Sequence, residues 1–107
     1  MRFWELNEGV LTSIQVGKYR VAILDHVRDR LKERNLRTWH ISRILDKLPN
    51  LEKEIDQLEI REGFFIIDRK LNVSIAMSRR DEKNLTMITI IDSGTPHARE
   101  VDKFFYI

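Results

Sequence analysis

Apolar residues recur first at helical spacing along this chain and later at every second position. From Lys18 to Arg34, the residues Tyr19, Ile23, Leu24, Val27 and Leu31 recur at three- and four-residue steps, which predicts a helix. Asn35 is placed to end it, because asparagine tolerates the left-handed conformation common just past a helix. Thr38 is the expected cap of a second helix, whose stripe is Ile41, Ile44, Leu45 and Leu48. Pro49 stops that helix, since the residue before a proline is pushed out of the helical region. It also suits the opening of a brief helical turn through LEKEID, with Leu51 and Ile55 facing inward.

Beyond that point the period changes to two. LEIRE (58–62), FFIID (64–68), NVSIAMS (72–78) and LTMITIID (85–92) read as strands rich in β-branched and aromatic residues. Gly63 breaks the first from the second, and DRKLN and RRDEKN are polar segments of hairpin length. In the last strand Leu85, Met87, Thr89 and Ile91 are expected on one face, with Thr86, Ile88 and Ile90 on the other. Both faces are partly apolar, which fits a central strand. VLTSIQV (10–16) alternates weakly and reads as a short edge strand or an extended lead-in.

The pattern predicts one α+β domain over 1–107, with two N-terminal helices packed on one face of a three- to four-stranded antiparallel sheet. Its parts are a lead-in (1–17), a helical layer (18–48), an antiparallel meander (58–92) and a tail (93–107). The closing FFYI is an apolar patch unless it docks on the sheet or on a second copy, so a homodimer through this segment is one expectation.

Composition narrows the picture only modestly. With 107 residues, 42% apolar and 34% charged, the chain fits one soluble globular core. A net charge of +2 permits a polyanionic partner without demanding one. The absence of cysteine rules out disulfides, thiolate nucleophiles and cysteine-based zinc sites. No signal-like leader and no long apolar run is present, so the expected location is cytoplasmic.

The chemistry concentrates in LDHVRDRLKERNLRTWH (24–40). His26, Arg30 and Arg34 follow at steps of four, which on a helix sets an imidazole beside one guanidinium with a second a turn further. Arginine offers a planar fork to phosphate oxygens, and histidine titrates near neutrality. Metal-free RNA cleavage needs a base for the 2′-hydroxyl, a cation for the phosphorane and an acid for the leaving oxygen. His26 suits the first or last task, and Arg30 or Arg34 the second. Against this, Asp25, Asp29 and Glu33 interleave with the arginines, and mixed-charge helix faces are ordinarily just solvated.

A second basic cluster, Arg79, Arg80 and Lys83, reads either as a charged hairpin turn or as a phosphate clamp opposite the helix arginines. Ser78, Thr86 and Thr89 are candidates for hydroxyl contacts there. Arg37 and the phenol of Tyr106 are further candidate RNA contacts, while His40 and His97 are candidates for an additional acid or base. The three histidines lack metal-ligand spacing and no glycine-rich phosphate loop exists, so no metal and no cofactor is expected.

HVRDRLKERNL on an early helix, then a second helix and an antiparallel meander ending in LTMITIID, resembles the RelE-type and phage RegB-type ribonucleases of the barnase–colicin–RelE-like group. The resemblance covers roughly residues 18–92. It implies a metal-independent endoribonuclease acting on messenger or transfer RNA in a toxin or phage host-takeover setting, with a protein antitoxin or inhibitor as a possible partner. His26 matches the helix histidine of that pattern, and Arg30 and Arg34 the arginines after it. The second histidine of the RegB-type pattern would fall near Asp46, whereas His40 comes too early. His40, His97 or an Arg/Tyr pair would then have to supply the missing group. The alternative is a non-catalytic module that holds a protein or nucleic-acid partner on the same scaffold.

Overall fold

The computed structural model describes residues 10–93 and 103–107, and it contains a six-stranded mixed sheet in the order β1-β2-β5-β4-β3-β6. The strands are β1 (Val10–Val16), β2 (Tyr19–Leu24), β3 (Gly63–Asp68), β4 (Val73–Arg79), β5 (Asn84–Ile91) and β6 (Lys103–Tyr106). Between β2 and β3 lie α1 (Asp25–Glu33), α2 (Thr38–Leu45), a 3-10 turn (Leu48–Leu51) and α3 (Glu52–Asp56). The three- to four-stranded antiparallel sheet with two leading helices is therefore corrected. A β-hairpin precedes the helices, and two of the strand pairings, β2 with β5 and β3 with β6, are parallel.

YRVAIL is a strand and not the start of the helix. Tyr19, Val21 and Ile23 alternate with Arg20, Ala22 and Leu24, and the buried set is the alternating one. Gly17 supplies the missing signal: with φ 59 it turns the chain between the paired Val16 and Tyr19, as first-position glycine does in tight hairpins. The helix therefore begins only at Asp25, and its inward face is reduced to Val27 and Leu31. LEIRE is also corrected from strand to turn. Arg61 has φ 73, and the Glu62 carboxylate accepts the Glu59 N–H at 2.9 Å, curling the segment on itself.

Asn35 and the turn after Pro49 fall as their residues predict, while the cap of the second helix shifts by one residue. Asn35 has φ 54 just past α1, and Leu36 N–H closes onto the Leu31 carbonyl at 2.8 Å. Leu51 and Ile55 are buried along the short turn after Pro49. Thr38 is the first residue of α2 rather than its cap; Arg37 holds the cap position, with extended backbone.

One core lies between the helices and one face of the sheet. It joins Tyr19, Val21, Ile23, Phe64, Ile66, Val73, Ile75, Met77, Leu85, Met87 and Ile90 to apolar residues of the helical layer such as Val27, Ile44 and Ile55. Each such side chain contributes about 1.5–3 kcal/mol when fully buried. The expected face alternation of β5 breaks at Ile88. Met77 pairs with Met87 but Ala76 pairs with Thr89, so one residue bulges and Ile90, not Thr89 or Ile91, returns to the core.

Among the described residues, no helix packs on the opposite face of the sheet. It presents Phe65, stacked on Phe104 with ring centres 5.5 Å apart, and the exposed Tyr106. Phe105 and Ile107 alternate with these and pack against the core, so the FFYI end is a strand of the sheet. No helix among the described residues is long and apolar enough to cross a membrane.

Candidate nucleic-acid interface

The helix α1 follows directly on β2 and packs mainly over β5, which places its candidates along one side of the molecule. His26 is exposed in the first turn. Arg30, one turn further, is exposed and donates to the Glu33 carboxylate at 2.8 Å. Arg34 has a different role. Its Nη1 donates to the Ile90 carbonyl at 2.7 Å and its Nε lies 3.7 Å from the Asp92 carboxylate, fastening the end of α1 to the end of β5.

The hairpin cluster separates in the same way. The Arg79 guanidinium is buried, and its Nη1 donates to the carbonyls of Ile55 (3.0 Å), Asp56 (2.9 Å) and Leu58 (2.8 Å). Its Nε donates to the Asp81 carbonyl at 3.1 Å. Arg79 thus caps the carbonyl end of α3 and is occupied by the protein itself. Arg80 and Lys83 are exposed, in a turn organised by Asp81. That carboxylate accepts the N–H groups of Lys83 and Asn84, both at 2.8 Å, which with the Asn84 amide holds its pKa below the usual carboxylate range.

The clamp expected between the two basic clusters is not assembled. Arg80 N–H bonds to Asn84 at the start of β5, while Arg34 is fastened to Ile90 near its end. Six residues of extended chain put roughly 20 Å between those points. Of the hydroxyl candidates, Thr86 is buried, and Ser78 and Thr89 are half-buried. Tyr106 is engaged by Arg69, whose guanidinium sits 4.0 Å from the ring centre. His97 lies outside the described residues.

The start of α2 holds a group that the sequence pattern did not single out. Trp39 is half-exposed (49%) and stacks on His40, with ring centres 3.8 Å apart and planes at 22°. His40 Nδ1 accepts the Arg37 N–H at 3.0 Å, so the ring is held in place by the turn it caps. Arg37 and Arg43 are exposed around it, and Arg43 Nε approaches the Asp68 carboxylate at 3.5 Å. Between positions 25 and 47 there are seven basic against four acidic residues, whereas the rest of the chain has twelve against thirteen. Among the described residues the α1–α2 corner thus carries an excess of basic side chains.

An acidic region lies elsewhere. A cleft of about 580 Å³ is lined by Glu54, Gln57, Leu58, Glu59, Glu62, Lys103 and Phe105. Three carboxylates against one ammonium repel phosphate, so this cleft is no RNA channel. Among the described residues no cluster of three or more histidines or carboxylates is arranged to hold a metal ion.

A polar network around Asp56 is structural. Asp56 accepts from Lys18 and from the Tyr19 hydroxyl (2.6 Å), and its carboxylate stands 3.9 Å from the Arg79 guanidinium. These contacts tie the β1–β2 turn to α3. Burial, then the Asp56 partner, push the Tyr19 phenol well above its ordinary pKa. The Lys18 and Tyr19 hydrogen bonds hold Asp56 below the usual range. The fold therefore favours protonated Tyr19, and that stabilisation is intact below about pH 10 and erodes as pH rises through the folded value. It equally favours ionised Asp56, a contribution intact above about pH 4 and lost as pH falls through the folded value. Denaturation midpoints across pH are expected to show Tyr19→Phe with a flatter alkaline limb than wild type, and Asp56→Asn with a flatter acid limb. Limbs parallel to wild type would remove the network as their cause.

Compared with known proteins, the chain matches no family model, no curated protein and no solved structure.

Proposed function

We propose that the chain is an RNA-binding module whose contact surface is the α1–α2 corner. The observation that carries this reading is Trp39, half-exposed and stacked on His40 in the most basic stretch of the molecule. Nonspecific single-strand binding combines an aromatic platform, on which any base can stack, with cations that follow the backbone. Trp39 supplies the platform, and Arg37, Arg43, Lys32 and Arg28 are exposed cations on the same two helices. Their flexible heads need no cleft, which agrees with an open surface. Trp39→Ala is expected to weaken binding of a fluorescent single-stranded oligoribonucleotide by about 1–3 kcal/mol, roughly 5- to 150-fold. Affinity is expected to fall steeply with salt. Salt-insensitive binding, or an unchanged Trp39→Ala, removes the proposal.

A catalytic version is favoured by one observation, that His26 and Arg30 are both exposed a turn apart on α1. His26 would take the 2′-hydroxyl proton as that oxygen attacks the adjacent phosphorus, with Arg30 freed from Glu33 to meet the phosphorane charge. The 5′-oxygen would leave and take a proton from water, giving a 2′,3′-cyclic phosphate end and a free 5′-hydroxyl. Cleavage that persists in EDTA and disappears in His26→Ala supports it. Tight RNA binding without cleavage leaves the binding module.

A further inference from the structure

We infer that the chain forms a two-fold dimer by antiparallel pairing of β1 with β1 of a second copy. The two edges of the sheet are built differently. β6 is short, only Lys103–Tyr106, and begins with a charge, both common ways of blunting an edge. β1 runs VLTSIQV, without a charged residue or a proline, in a chain that is 34% charged. A register shift between Val10 and Thr12 confines its regular part to Thr12–Val16. Among the described residues nothing pairs with its outer side.

Side-chain alternation along β1 points to the same occupant. Thr12, Ile14 and Val16 pair with Ile23, Val21 and Tyr19, so they stand in the row that continues the helix-side core. Ile14, at the centre, is left 38% exposed. Antiparallel pairing about Ile14 sets Ile14 against its own copy, Thr12 against Val16 and Ser13 against Gln15. On the core side Ile14 then meets Ile14 between two β-branched Thr12–Val16 pairs, on the other side polar meets polar, and no like charges are opposed. A partner selected by charge would find no complement on this strand, whereas a second copy needs none. The interface is isologous, as a closed two-fold contact requires.

Antiparallel edge pairing places the two-fold axis perpendicular to the sheet, so both helical layers lie on the same face. The two basic corners would then face one ligand together. Five paired residues extend only about 17 Å and bury less than the roughly 1,200 Å² of standard interfaces, so the dimer is expected to dissociate on dilution.

Dimerisation does not depend on RNA, and the test is made without it. Sedimentation equilibrium of the full chain over a concentration series is expected to approach twice the 12.8 kDa monomer mass at the high end. Ile14→Lys and Ile14→Glu, each checked for a native circular dichroism spectrum, are expected to stay at the monomer mass. An equimolar mixture of the two is expected to recover the dimer, since opposite charges then meet across the axis. A wild type that remains monomeric throughout overturns the inference. So does a dimer that survives both substitutions, which would place the contact elsewhere, for instance on Phe104 and Tyr106. RNA binding by a monomeric Ile14→Lys would leave the functional reading intact while separating it from the dimer.

Discussion

Arg79→Ala is expected to lower the stability of the fold by about 2–4 kcal/mol, from several charge-assisted hydrogen bonds to backbone carbonyls lost together. One guanidinium serves the carbonyls of Ile55, Asp56 and Leu58 and, through Nε, that of Asp81. Alanine removes the donor from all four, although the Ile55 carbonyl keeps the Leu58 N–H, and each buried acceptor left unsatisfied costs about 1–3 kcal/mol. Domains of this size are typically stable by about 5–15 kcal/mol, so the loss is a large share of the whole. Arg79→Lys is expected to recover only part, because one ammonium cannot reproduce the planar fork. Urea midpoints of the three proteins measure the effect. An alanine variant as stable as wild type would show that the carbonyl end of α3 does not need this residue.

The second large effect is expected at Ile75. It pairs with Ile66 on β3 and Ile90 on β5, and all three are fully buried beneath the helices. Ile75→Ala empties the middle of that row, where the neighbours on the two flanking strands are fixed by backbone pairing and relax little. The expected loss is about 2–5 kcal/mol, with the upper half favoured by the rigid setting. Ile75→Val removes one methylene and is expected to cost about 0.5–1.5 kcal/mol, so the pair distinguishes a cavity from a change of strand propensity. Equal losses for both would point away from packing.

Strands β3, β4 and β5 were legible in the sequence because their apolar residues are dense and their turns carry polar clusters. The left-handed Asn35 was legible for a local reason, since its neighbours place it just past a helical stripe. The β1–β2 hairpin was hidden because YRVAIL supports both periods over so short a run, and Tyr19, Ile23 and Leu24 also suit a helix. Pairing with β1 across Gly17 and with β5, far along the chain, decides between the two. The bulge at Ile88 was unreadable for a related reason, as register depends on both strands at once.

The candidate site was less legible than the fold. His26, Arg30 and Arg34 lie on one helix as their spacing requires, but the cation role of Arg34 and Arg79 depends on carbonyls that only the folded chain presents. Arginine in a sequence does not say whether phosphate or its own backbone will take its hydrogen bonds. Trp39, an unburied tryptophan in a basic stretch, is a signal that the spacing of histidines and arginines does not carry.

The parallel pairing of β2 with β5 also governs how the chain acquires its structure. Arg20 must meet Asn84, and Ile23 must meet Met87, across the whole helical layer and the β3–β4 hairpin. Closing so long a loop costs entropy before any contact repays it, and such non-local pairings slow folding. During synthesis the N-terminal hairpin emerges early but has no neighbour to join until Asn84–Met87 has left the ribosome. Its uncharged outer strand is then unprotected on one side while its inner strand waits on the other, which makes this interval the one most open to misassociation.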